Sequence, residues 1–152
     1  MLSFLKKKWL LVLGLAVVAI PLAAFLLVGP PQILAKSDSP GFCAGCHVME
    51  SEHTAFMHSR HRRNRCVDCH LPNQNLAIHY VWKSIDGMKD AIMFYSGRTP
   101  ERIKLSEHGA EVLQANCIRC HEELVSPINT EQKCWSCHKG ITHLRGGAIE
   151  TN

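Results

Sequence analysis

Every cysteine in the chain falls in one of four five-residue segments with a single pattern: CAGCH at Cys43–His47, CVDCH at Cys66–His70, CIRCH at Cys117–His121 and CWSCH at Cys134–His138. Paired cysteines two residues apart can serve disulfides or structural zinc, but neither requires a histidine directly after every second cysteine. That spacing is the attachment signature of c-type haem, in which two thiols form thioethers to the porphyrin vinyls and the histidine reaches the iron. Cys43, Cys46, Cys66, Cys69, Cys117, Cys120, Cys134 and Cys137 are therefore expected to carry four covalently bound haem c groups. Aromatic residues make up only 7% of the 152-residue chain, which is thin for a core of side chains alone. Four porphyrins supply the missing apolar bulk, so the usual scaling of core with chain length need not apply. The expected fold is mainly α with much irregular structure, packed around haems.

Charge has to be read for the haem-loaded chain. The polypeptide carries a formal +4. Eight haem propionates turn this negative by the same amount, and ferric iron restores one charge per haem. The basic balance of the bare sequence is thus no sign of a nucleic-acid partner.

Residues 1–8 include Lys6, Lys7 and Lys8, and no charged residue follows from Trp9 to Val28. Twenty residues at ~1.5 Å each span ~30 Å, enough for one bilayer crossing. The lysines favour a cytoplasmic N-terminus. Thioether attachment takes place outside the bacterial cytoplasm, so the haem domain belongs in the periplasm. A cleaved signal peptide is the rival reading. Its apolar core is shorter, and the nearest cleavage candidate, Ile33-Leu34-Ala35, carries a bulky residue where a small one is wanted. The expected layout is a cytoplasmic start at 1–8, an anchor in the inner membrane at 9–29, a linker at 30–42 read as loop, and a periplasmic tetrahaem domain at 43–152. Haem 1 then lies close to the bilayer.

The four motifs form two close pairs along the chain. Between them, Leu76 to Tyr95 is the best helical stretch, with Leu76, Tyr80, Met88 and Ile92 on a broad apolar stripe and Val81 and Ile85 beside it. Gly97 and Pro100 end it, and residues 104–116 read as a further helix. Lys83, Asp86, Gly87 and Asp90 recur at offsets of three, four and seven, which puts them on one face. By periodicity this is a solvated face with an ion pair; alternatively, Gly87 lets a flat group approach the backbone.

Three motif histidines, His70, His121 and His138, are expected to take one axial position each on haems 2, 3 and 4. Six further histidines remain: His53, His58, His61, His79, His108 and His143. His143 lies too close after His138 to reach the far face of the same haem and suits a neighbouring one. His61, just before Cys66, invites the same argument. Two-histidine ligation leaves no open site and favours electron transfer over small-molecule chemistry. The other four histidines read as surface or propionate partners. Met49 follows the first motif at a step the other copies lack. Methionine is ordinarily packing, but a thioether ligand raises haem potential.

One apolar N-terminal stretch, four CxxCH motifs and a first copy of the form CxxCHxM resemble the NapC/NirT family of membrane-anchored quinol dehydrogenases. The short length is most similar to the members that serve a cytochrome c nitrite reductase. The resemblance implies that Met49, not His47, binds haem 1. It implies that Lys83 and Asp90 line a menaquinol pocket beside that haem, with Asp90 as proton acceptor. It also implies that His61 and His143 are distal ligands on haems 3 and 4. The distal ligand of haem 2 would be a lysine of the catalytic subunit. The implied partners are menaquinol, the lipid bilayer and a multihaem nitrite reductase subunit. The alternatives are a relay cytochrome without a quinol site, a quinol dehydrogenase serving another periplasmic reductase, and a terminal enzyme with an open haem.

Overall fold

The computed structural model describes residues 2–29, 32–141 and 143. The tail from Gly146, where the sequence carries no signal, lies outside the described residues, as do Pro30 and Pro31. The mainly helical expectation holds: eight α-helices and one 3-10 turn, with no strand among the described residues. Helix α1 (Leu2–Val28) contains Pro21 and is long and apolar enough to cross a membrane, with a mean hydropathy of 2.9 over Lys8–Leu27 and none of that window buried.

The linker differs from the loop expected of it. It folds into two helical turns, α2 (Ile33–Lys36) and α3 (Pro40–Cys43). Ser39 caps α3, its Oγ accepting from the Phe42 N–H at 3.3 Å, and Pro40 occupies the first turn. A Ser-Pro pair that reads as a turn is equally a helix start. Between these turns Asp38 is 4% exposed, and its carboxylate pairs with Lys83 and with Arg65 Nη1 at 3.5 Å. Lys83 Nζ also donates to Ser37 Oγ at 2.6 Å and to the Leu34 carbonyl at 3.3 Å. Arg65 turns back onto Asp68 at 2.8 Å, directly beside the second haem motif. One buried carboxylate therefore holds the membrane-side linker against two parts of the haem domain.

A 3-10 turn (His47–Met49) leads into α4 (Glu50–His58); α5 (Cys66–His70) and α8 (Cys134–Cys137) are single haem-motif turns. Helix α6 (Leu76–Tyr95) matches the expected span; Asn75 Oδ1 accepts from the Ala77 N–H at 2.8 Å to start it. The helix expected at 104–116 is α7 (Glu107–Val125), which runs on through the third motif and breaks its regular geometry at His121.

Two buried amides on α7 assemble the motifs. Asn116 Nδ2 donates to the carbonyls of Cys69 at 3.0 Å and Leu71 at 2.9 Å, fixing the second motif. Gln114 Nε2 donates to Thr130 O at 2.8 Å and Gln132 O at 3.1 Å, while its Oε1 accepts from the Cys134 N–H at 3.0 Å, fixing the fourth. Helix α7, which carries the third motif, thus grips its neighbours in space.

Two outcomes follow from these contacts. Asn116→Ala strands the Cys69 carbonyl, while Leu71 O keeps Asn73 Nδ2 as a donor at 2.7 Å, and is expected to lower the unfolding free energy of the holoprotein by about 1–3 kcal/mol, read by denaturant titration; a change within error removes Asn116 as a structural clip. Asp38→Ala leaves the Lys83 ammonium without its buried partner and is expected to cost about 3 kcal/mol. It should also expose the 33–39 linker to limited proteolysis, and unchanged cleavage there would show that Asp38 does not hold it.

Candidate haem-binding and electron-uptake site

Cysteines of successive motifs lie close to one another. Before haem attachment, a hydrogen bond to Cys66 holds the Cys43 thiol down to about 7; burial opposes this and the nearby Lys83 charge assists it. The same hydrogen bond, with burial, pushes Cys66 up. Burial, then Asp68 and Cys120, push Cys69 up. Burial, then its neighbours Cys134 and Cys69, push Cys117 up to about 11. Motif one therefore adjoins two, two adjoins three, and three adjoins four.

The histidines fit haem. The rings of His61 and His121 face each other with centroids 6.2 Å apart, and those of His70 and His143 stand 6.1 Å apart. A metal–imidazole bond is ~2 Å and a ring nitrogen lies ~1 Å from its centroid, so two imidazoles on one ion sit about 6 Å apart. Among the described residues the buried Nδ1 of His61 has no hydrogen-bond partner, which is unusual for a histidine that serves packing alone. His143 Nδ1 lies 2.9 Å from the Glu52 carboxylate and 3.3 Å from the Glu52 carbonyl, which leaves Nε2 to the iron. Carboxylates commonly orient metal-binding histidines in this way. Glu52 was not legible as a site residue.

The second pair sets the His143 ring opposite that of the motif-two histidine, whereas the resemblance implies His61 and His143 on haems 3 and 4 and a partner lysine on haem 2. Tied to α4 through Glu52, His143 is brought opposite the motif-two histidine. His138 stands just past the end of α8.

At motif one, the Met49 N–H donates to the Cys46 carbonyl at 2.9 Å, closing a 3-10 turn. Residues three apart eclipse in such a turn, so Met49 lies over Cys46. His47 points elsewhere, its ring 5.3 Å from that of Phe94 on α6.

Lys83 and Asp90 share one side of α6 but are not joined. Lys83 is turned inward to Asp38, so the solvated-face reading fails at that residue; its side chain is 18% exposed. Asp90 is 75% exposed and its nearest cation is Lys89 at 3.9 Å. Desolvation along α6 pushes its carboxyl up only modestly at that exposure, with Lys89 opposing and Asp86 assisting. A Cβ at Gly87 would meet no atom within 4 Å, so the backbone is open to approach there. Of the surface or propionate role expected of His79, the surface half is corrected: it is buried and its Nδ1 bonds the Pro72 carbonyl at 2.9 Å. His108 stacks on Trp82 at 3.6 Å, whereas His58 is exposed against its own helix.

Residues 5–123 match the model of the NapC/NirT cytochrome c family, N-terminal region. The chain is 36% identical to the cytochrome c-type protein NrfH of Wolinella succinogenes, over 91% of this chain and 88% of that one. It is 31% identical to the cytochrome c nitrite reductase subunit NrfH of Nitratidesulfovibrio vulgaris, over 93% and 87%. Its fold matches a chain of the crystal structure of the cytochrome c nitrite reductase NrfHA complex bound to the HQNO inhibitor. That match has a TM-score of 0.69 and 29% identity, covering 93% of this chain and 98% of the other. The order of the four motifs, the facing histidine pairs and these matches along nearly the whole chain agree: the chain belongs to the NapC/NirT cytochrome c family.

Proposed function

We propose that this chain is a membrane-anchored tetrahaem cytochrome that oxidises menaquinol and passes the electrons to a periplasmic, ammonia-forming cytochrome c nitrite reductase. The observation that carries this reading is the match, over nearly the full length of both chains, to a subunit of the inhibitor-bound NrfHA complex. Its N-terminal lysines favour a cytoplasmic start, with the haem domain in the periplasm.

When bound, the haems supply one-electron redox chemistry. The chain supplies attachment, ligands and proton handling. Eight cysteines tether the groups in the order in which their sulfurs adjoin. Met49 would ligate haem 1, His70 and His143 would hold haem 2, and His61 and His121 would hold haem 3, with His138 on haem 4. Menaquinol loses two electrons and two protons beside motif one. Asp90, exposed and ionised, takes a proton as general base, and Gly87 leaves room for the flat ring. Lys83, committed to Asp38, sets the position of that face relative to the linker. A relay without a quinol site is the second reading, favoured by one observation: the Lys83 charge is already paired.

Asp90→Asn keeps the shape of the side chain and removes the base. Quinol oxidation is expected to slow by about 10², while reduction of the haems by a soluble artificial donor is unchanged. An unaltered quinol rate would eliminate Asp90 as the base. His143→Ala should retain four haems by mass and lose one low-spin bis-histidine haem by magnetic circular dichroism. An unchanged low-spin count would remove His143 as a haem ligand.

A further inference from the structure

Helix α6 turns an apolar side outward. His79 is buried, Lys83 binds Asp38, Trp82 stacks on His108 and Phe94 meets His47. At 100° per residue these four positions gather on one side of the helix, and Ile78, Val81, Ile85, Met88 and Ile92 fall within about 80° on the opposite side. Those five are 48–65% exposed. A surface helix of a water-borne domain has the reverse arrangement, and a contiguous apolar patch of this kind marks a contact with something apolar.

The location of the patch selects its occupant. Lys83 bonds the Leu34 carbonyl and Ser37 Oγ, and Leu34 is only six residues beyond Val28, the last residue of α1. Six residues reach at most about 22 Å, so α6 is held beside the membrane edge. Tyr95, 87% exposed, and Lys89 flank the stripe, and both residue types favour the membrane–water boundary. Haem 1 does not account for the stripe: its attachment turn meets α6 on the inward side, through His47 and Phe94.

We propose that α6 lies in the plane of the bilayer interface, with the Ile78–Ile92 stripe set among the acyl chains of the leaflet nearest the haem domain. The helix is then a second membrane contact, parallel to the surface where α1 crosses it. It brings the Asp90 face to headgroup level. The inference rests on membrane anchorage and not on quinol oxidation, so failure of the Asp90→Asn test leaves it standing.

The test uses full-length holoprotein in nanodiscs of phosphatidylcholine carrying a diazirine in its acyl chain, with and without the native catalytic partner. After photolysis and peptide mapping, lipid adducts are expected on the 76–95 segment as well as on α1, in both preparations. In an Ile85→Glu/Met88→Glu variant the α6 adducts should fall about tenfold, since charge is expelled from the acyl region, while α1 adducts persist. Adducts confined to α1 in the parent protein would overturn the proposal. Adducts on α6 that vanish when the partner is present would overturn it too, because the face would then be a protein interface. If the variant fails to mature, the two parent preparations decide the matter alone.

Discussion

Five apolar side chains are buried among the described residues, Phe56, Val67, Leu71, Val112 and Trp135, and such a set cannot hold a domain of this size together by packing alone. What organises the polypeptide is the requirement that four rigid groups be tethered at eight sulfurs and gripped by histidines from elsewhere in the chain. The helices answer to that requirement. Two of them are single turns carrying a motif, and α7 takes a motif in mid-helix at the expense of regular geometry at His121. Attachment geometry takes precedence over helix continuity.

Polar contacts take over much of the work that apolar packing does in other small domains. Gln114 and Asn116 sit two residues apart on α7 and secure different motifs through backbone carbonyls. Asp38 does the same for the linker, with charge in place of an amide. Each is a buried group that is costly to leave unpaired, which makes the arrangement specific as well as stable. Glu52 extends the pattern to His143 by bonding its Nδ1 and so directing the ring.

The parts legible in the sequence were those written in local spacing. The four motifs, the apolar first helix and the span of α6 all follow from neighbours within a few residues, such as the Asn75 cap. Periodicity also identified two faces on α6, but not which one turns inward, because that depends on what α6 meets. The linker was misread because serine and proline serve loops and helix starts alike. Asp38, Glu52, Gln114 and Asn116 carried no local signal. Asn116 meets Cys69 47 residues away, and His143 meets Glu52 91 residues away. The assignment of His143 could not come from its distance to His138, since Glu52 decides where the ring is carried.

The buried Asp38 pairing bears on how electrons leave the domain. A cytochrome on a slack tether can swing and serve one acceptor after another by collision. Here the segment after the membrane helix is folded into turns and fastened to α6 and to the second motif, so swinging is suppressed. The free length of tether is thereby cut to the few residues between α1 and α2, and the reach of the haem row away from α1 is cut with it.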